Sequence, residues 1–188
     1  MITAGRIREL AKQAPNEKVY PDQRFPPSIY YRFMKLLAAE IQPTNSVVLG
    51  VCGGGDCLHL AQGWPAGQVY GVDYARDHVD NIKHVEATFP NFHFLWNDSI
   101  DVIKSFDKFS GPCVDILFID TIHTYERTIR EFYAWQRVLN PGAVVMLDDL
   151  YRDGMLAAWT DLPGAKIRLD ELHLGGSPTD GGFGVILL

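Results

Sequence analysis

VDILFIDTIHTYE (residues 114–126) is apolar almost without a break until it stops on Asp120, with His123 three residues further on. An apolar run of this length bounded by polar residues suits a strand buried on both faces, too short for a helix that could bury itself. Four more runs share the design. SVVLGV (46–51) enters a cluster of glycines, QVYGVDY (68–74) ends near Asp73, FHFLWND (92–98) ends on Asp98, and AVVMLDD (143–149) ends on Asp148 and Asp149. Between them the apolar period changes to that of a helix: Val79, Ile82, Val85 and Phe89; then Ile100, Ile103 and Phe106. A longer helix is expected from about Thr124 to Leu139, with Ile129, Phe132, Tyr133 and Val138 inward and NPG (140–142) as its stop. Upstream, Thr3 is positioned to cap a basic amphipathic helix reaching Lys12. Pro21, Pro26 and Pro27 interrupt the pattern before Ser28 caps a second helix through Phe33, Leu37 and Ile41, which Pro43 closes.

Strands alternating with helices imply βαβ units, an α/β fold and a parallel sheet covered on both faces. Ligands of such sheets sit beyond the carboxyl ends of the strands, where the strand order reverses. Asp73, Asp98, Asp120, Asp148 and Asp149 would then gather on one rim. The competing reading is that Asp after a strand merely caps the next helix.

The 188 residues, 47% of them hydrophobic, suffice for one core and hence one domain. Net charge is −6 and the 17 basic residues are scattered, which disfavours nucleic acid and anionic membranes as partners and favours a small molecule. The three cysteines fit reduced thiols better than a disulfide framework. MITAGRIREL lacks the apolar core of a signal peptide, and no apolar run approaches the roughly 20 residues that span a bilayer, so a cytoplasmic protein is expected. His59, His78, His84, His93 and His173 read as surface residues, and Cys52, Cys57 and His59 have the wrong spacing for zinc.

LGVCGGGDCLHLA (49–61) places Gly50, Gly53, Gly54 and Gly55 between a buried strand and a helix starting near Asp56. A phosphate-binding loop would continue with Lys and then Ser or Thr, whereas this chain has Asp56 and Cys57. The dinucleotide pattern fails because its last glycine falls on Leu58. Asp56 at a helix start would also repel a pyrophosphate. Asp73, 19 residues after Gly54, is placed to accept hydrogen bonds from ribose hydroxyls. A loop without phosphate chemistry beside a ribose acid suits a nucleoside with a positive tail, and S-adenosylmethionine is such a ligand.

The ordered segments VVLGVCGGGD, VYGVD, FLWNDS, VDILFIDTIHTYE and LNPGAVVMLDD resemble the class I S-adenosylmethionine-dependent methyltransferases over about residues 45–150. FIDTIHTYERTIREFYAWQRVLNPGAVVMLDDL (118–150) looks like a branch of small O-methyltransferases whose pattern runs Ile-Asp-x-x-His-x-Tyr, Trp, Leu-x-Pro-Gly-Gly, then Asp-Asp or His-Asp. GGFGVILL (181–188) is similar to that fold's final strand. The resemblance implies a Rossmann-like, doubly wound, mostly parallel seven-stranded sheet with an antiparallel last strand and helices on both faces. It implies a single methyltransferase domain over 1–188, with 1–44 a helical segment that helps form the acceptor pocket. By the same resemblance Gly50, Gly53 and Gly54 flank the methionine part of the cofactor, Asp73 binds ribose, and Asp98 with Ser99 lies at the adenine edge. Trp96 is a candidate to stack on adenine, against the reading that a strand aromatic belongs to the core. Two positions depart from the pattern. Val48 stands where the family usually has an acid that holds the methionine amino group, with Asp56 a candidate substitute, and Ala143 replaces the second glycine of Pro-Gly-Gly.

Methyl transfer to a hydroxyl needs alignment and removal of a proton. His123 titrates in the range of a general base beside Asp120. Alternatively Asp120, Asp148 and Asp149 hold Mg2+ or another divalent cation, at a spacing that resembles the metal acids of catechol-type enzymes. Against each stands a capping role in the loop. Base amino methylation is disfavoured, because Asp120-Thr121-Ile122-His123 replaces the Asp/Asn-Pro-Pro-Tyr typical of those enzymes. The small-molecule acceptor would be chosen by segments 20–31, 150–164 and 172–184, with Tyr30, Tyr31, Tyr151 and Trp159 as candidate pocket walls. The chain is too short for a lid domain, so the expectations are an exposed acceptor or a homodimer that closes the site. Two rival functions remain: a nicotinamide-dependent oxidoreductase, and a protein that binds S-adenosylmethionine without transferring its methyl.

Overall fold

The run from Val114 to Ile119 forms β4, whose neighbours β1 (Asn45–Leu49) and β5 (Leu139–Leu147) both lie parallel to it. The computed structural model describes residues 1–19, 28–105, 111, 113–170 and 181–188. β1 continues to β2 (Gln68–Asp73) and β3 (Phe92–Trp96), again parallel, and β5 continues to β7 (Gly184–Leu187) and β6 (Ala165–Arg168). The order is β3-β2-β1-β4-β5-β7-β6, with β7 antiparallel to both neighbours. The strand order reverses between β1 and β4. That is the crevice in which α/β sheets bind ligands.

Side chains alternate across the sheet and build two cores. Val48, Ile116, Phe118, Val144 and Met146 face α1 (Ala4–Gln13), α2 (Ile29–Ile41), α3 (Gly55–Gly63) and α4 (Val79–Thr88). Val47, Leu49, Leu117, Ile119 and Val145 face α5 (Ser99–Ser105), α6 (Tyr125–Trp135) and α7 (Met155–Asp161). Thr3, Ser28 and Thr124 cap α1, α2 and α6, each side chain accepting from the backbone N–H three residues on. No described helix is long and apolar enough to cross a membrane.

Several expectations are corrected. NPG (140–142) lies inside β5, where the register with β4 shifts between Val114 and Ile116, so it makes an irregularity in a strand rather than the end of a helix. The helix ends earlier, at Trp135, and passes through a 3-10 turn, Gln136–Val138. Its core anchor is Trp135, fully buried with Nε1 donating to the Ser99 carbonyl at 2.8 Å, whereas Tyr133 is 53% exposed. His59 is buried. α3 is wedged between α2 and the sheet, and every residue from Gly55 to Ala61 is buried. Among the remaining surface histidines His78 is exposed, while His84 and His93 are half-buried. Phe106, Pro21, Pro26, Pro27 and His173 lie outside the described residues.

His59 supplies a pH-dependent stability. Its Nδ1–H donates to the Gly55 carbonyl at 2.7 Å, its ring stacks on Tyr31 at 4.8 Å, and burial lowers its pKa to about 4. A base whose folded pKa lies below its unfolded value stabilises the fold fully above pH 6.5 and loses that contribution as pH falls toward 4. The loss is about 3 kcal/mol from this group. Asp56 and Asp120 work in the opposite sense, since burial raises both, but they are common to wild type and His59→Phe. In urea titrations between pH 7 and 4, the stability of wild type is therefore expected to fall relative to that of His59→Phe; parallel curves would contradict this.

Candidate active site

The ends of β1, β2 and β4 meet through backbone bonds: Gly50 N–H donates to the Val72 carbonyl at 2.9 Å, and Asp120 N–H to the Leu49 carbonyl at 2.8 Å. Gly50 has φ +84°, and a Cβ there would lie 2.0 Å from the Asp120 carbonyl oxygen. Only glycine lets the chain turn this close to β4. Asp73 then ties the loop to β2. Its Oδ2 accepts from Val51 N–H at 2.9 Å and Cys52 N–H at 3.1 Å, and its Oδ1 from Ala75 N–H at 2.8 Å. Cys52 takes a positive φ of 46° in this turn.

Gly50, Asp73, Asn97, Ser99, Asp120 and Arg127 are among the residues lining one cavity of about 170 Å³ at the switch point. The structure thus brings together Gly50, Asp73, Ser99 and Asp120 from the expected set. Gly53 and Gly54 are not in that lining: Gly54, at φ +90°, is the N-cap of α3, and a Cβ there would meet Ile82 and Val85 of α4. Asp98 stands beside the cavity, its Oδ1 accepting from Ile100 N–H at 2.8 Å and its Oδ2 from Arg127 at 2.9 Å. Burial works to raise its pKa, but these two donors outweigh it and hold the carboxyl below the usual range. Trp96 packs edge-on against Phe94 at 4.4 Å with the Arg76 guanidinium 5.4 Å from its ring, in a surface hollow of its own.

A family model described as a methyltransferase domain matches residues 47–150, more than half of the chain. The chain belongs to this methyltransferase family. No curated protein matches it in sequence. Among solved structures, an O-methyltransferase from Bacillus cereus in complex with SAH is 16% identical, with a TM-score of 0.66 over 98% of this chain and 90% of that one. The O-methyltransferase TomG from Streptomyces achromogenes, involved in tomaymycin synthesis and solved with SAM, is 19% identical, with a TM-score of 0.63 over 100% of this chain and 90% of the other. A methyltransferase from Geobacter sulfurreducens is 15% identical, with a TM-score of 0.65 over 98% and 87%. At these identities the likeness is one of fold.

In this methyltransferase His123 and Asp120 are partners. His123 Nε2 lies 3.0 Å from Asp120 Oδ1 and 3.8 Å from Asp149 Oδ2, and its Nδ1 is 3.4 Å from the Arg152 guanidinium. Thr124 caps the following helix, which leaves His123 to reach back to Asp120. Burial, then the charges of Asp148 and Asp149, push the Asp120 pKa well up. Burial lowers that of His123, with Asp149 opposing and Arg152 assisting. Asp149 leaves β5 at φ 51° and binds Arg152 Nε at 2.7 Å through the same Oδ2. Asp148 is half-buried, and its charge acts on Asp120 and Asp56. Among the described residues no three of His, Cys, Asp and Glu are arranged to hold a metal ion. Asp120, Asp148 and Asp149 do not form such a group.

Sequence reasoning missed Arg127 and Glu131. Glu131 is fully buried and gathers the Ser99 hydroxyl, the Thr121 hydroxyl at 2.7 Å and Arg127 Nε at 2.7 Å, so one carboxylate joins the ends of β4, α5 and α6 beneath the cavity. The available signal was an Arg–Glu pair at i,i+4 on the same helical face as Thr124, Thr128 and Trp135. The expected aromatic walls separate: Trp159 packs on the α6 side of the sheet and Tyr151 donates to Asp170 at 2.7 Å, whereas Tyr30 and Tyr31 stand beside the acids.

Proposed function

We propose that this methyltransferase uses S-adenosylmethionine and delivers the methyl group to a hydroxyl of a small molecule. The observation that carries the reading is the convergence on one space of Asp73, the glycine loop and a set of carboxylates. Cys52 on the cavity wall lies within the charges of Asp120, Asp56 and Asp73 together. Such a field favours a cationic ligand and opposes a pyrophosphate. Arg127, on the same wall, is already engaged by Asp98, Ser99 and Glu131. The residues therefore fit a nucleoside with a cationic tail. Asp73 Oδ1 retains one lone pair for a ribose hydroxyl beyond those used by the backbone.

S-adenosylmethionine, when bound, supplies an electrophilic methyl group on a sulfonium. The residues of the chain must then align an acceptor oxygen and take its proton. Asp120 is the member of the acid–imidazole pair that lines the cavity, and His123 fixes its Oδ1. Burial and the charges of Asp148 and Asp149 raise the Asp120 pKa, which makes the ionised carboxylate a stronger proton acceptor than an ordinary Asp. This favours a hydroxyl acceptor, whose proton has to leave, and Tyr30 and Tyr31 next to the acids suit an aromatic or sugar ring.

Removing the Asp73 carboxylate is expected to weaken S-adenosylhomocysteine binding at least tenfold, about 1.4 kcal/mol or more. Calorimetry on wild type and Asp73→Ala measures it, and equal affinities would refute the ribose role. The acceptor class is tested by following S-adenosylhomocysteine release with a panel of phenols, catechols and sugar alcohols beside matched amines. An O-methylated product supports the reading; transfer confined to amines overturns it.

A further inference from the structure

His123 has a carboxylate on one side and a guanidinium on the other. Its Nε2 lies 3.0 Å from Asp120 Oδ1, and its Nδ1 lies 3.4 Å from a terminal nitrogen of Arg152. A guanidinium only donates hydrogen bonds, and an ionised carboxylate only accepts them. An imidazolium, or a neutral ring protonated on Nδ1, would aim a second donor at Arg152. Both neighbours are therefore satisfied by one form alone, the neutral ring with its proton on Nε2 and its Nδ1 lone pair toward Arg152. Burial, with the guanidinium assisting, holds the imidazole below its ordinary pKa against the charges of Asp149, Asp148 and Glu131.

Arg152 acts on a third group as well. Asp149 Oδ2 is a second carboxylate oxygen near Nε2, at 3.8 Å, and Arg152 Nε binds that same oxygen at 2.7 Å. Asp149 leaves β5 at φ 51°, and the Arg152 backbone N–H returns to its carbonyl at 3.0 Å, a turn that carries the guanidinium back to the imidazole. One planar side chain thus engages Nδ1 and the rival acceptor together, which leaves Asp120 Oδ1 as the partner of the Nε2–H.

We propose that Arg152 is a positioning residue for the transfer: it holds His123 neutral with its proton on Nε2, and so reserves Asp120 to take the acceptor's proton. This rests on the reading of Asp120 as the base and deepens it. Without the guanidinium, Nδ1 is open to a second proton. The imidazolium so formed beside Asp120 would stabilise the charge of the carboxylate and make it a weaker proton acceptor. Arg152 is exposed and is not among the residues lining the cavity, so its removal should leave the fold and the cofactor affinity in place.

The test combines NMR of protein carrying 15N in its histidine rings, with His123→Gln assigning the resonances, and turnover of the acceptor identified by the panel above. At pH 7 the wild-type His123 ring is expected neutral and protonated on Nε2. In Arg152→Met, which keeps the aliphatic stem, the ring should bind its second proton about tenfold or more tightly, and Arg152→Lys, which keeps the charge, should restore much of the wild-type behaviour. The kcat of Arg152→Met should fall about tenfold or more at pH 7, with the gap closing as rising pH removes the second proton, while S-adenosylhomocysteine affinity stays within about threefold. A wild-type ring protonated on Nδ1, or a second proton bound equally by wild type and Arg152→Met, overturns the assignment and leaves the cofactor reading untouched, because those samples contain no cofactor. A kcat for Arg152→Met within threefold of wild type from pH 6 to 9 overturns the positioning role even with the expected tautomer. If Asp120→Asn keeps its kcat, the base reading fails and the role of Arg152 with it.

Discussion

Asp120→Asn is expected to lower kcat by about 100- to 10,000-fold, the range of a lost general base and equivalent to roughly 3–5 kcal/mol in the barrier. The carboxamide keeps the volume, and its carbonyl can still accept from His123, so the lesion is confined to proton acceptance. A smaller change in S-adenosylhomocysteine affinity is expected, because removing one charge of the acid rim also weakens the field on a cationic ligand. His123→Ala leaves the acid that lines the cavity and should cost less. The split between kcat and binding separates the roles: a kcat within threefold of wild type for Asp120→Asn would mean that the acceptor's proton leaves by another route. Glu131 forms a useful contrast, since its carboxylate bonds to Ser99, Thr121 and Arg127 beneath the cavity and not to the acid pair.

The second large effect lies in the glycine at the end of β1. Gly50→Ala adds a Cβ 2.0 Å from the Asp120 carbonyl oxygen, 2.6 Å from its carbon and 3.0 Å from the Thr121 Cα, in a backbone at φ +84°. All three are main-chain atoms, which no rotamer change can move aside. The left-handed conformation costs an alanine roughly 1–2 kcal/mol, and the overpacking adds about 1–3 kcal/mol. For a domain of this size the melting temperature should fall by roughly 5–15 °C. A melting temperature within 2 °C of wild type would show that β1 and β4 separate freely at this point, and would undermine the placement of Asp120 as well.

The five parallel strands were legible because strands covered on both faces are written as unbroken apolar runs, and the acid after four of the five runs marked the rim. Asp73 and Asp120 could be placed for that reason alone. β6 could not be read: Ala165–Arg168 is a four-residue edge strand whose buried Ile167 sits between an intermediate and an exposed neighbour. The start of β5 was hidden by NPG, a breaker that the register shift absorbs. On α6 the apolar period chose Tyr133 over Trp135, because a half-polar inner face carrying Thr128 and Glu131 blurs the stripe. His59 was misplaced for a packing reason. A helix pressed between another helix and a sheet has no solvent face, and its polar residues are buried with the rest. The burial of Asp56 came with that same wedge.

The most direct measurement is calorimetric titration of S-adenosylhomocysteine into the wild-type protein, with NADH titrated in parallel. The proposed cofactor site requires one S-adenosylhomocysteine bound per chain with a micromolar Kd, near −8 kcal/mol, and no heat with NADH. Binding of NADH without binding of S-adenosylhomocysteine would contradict it, and would return the acid-lined cavity to a different chemistry.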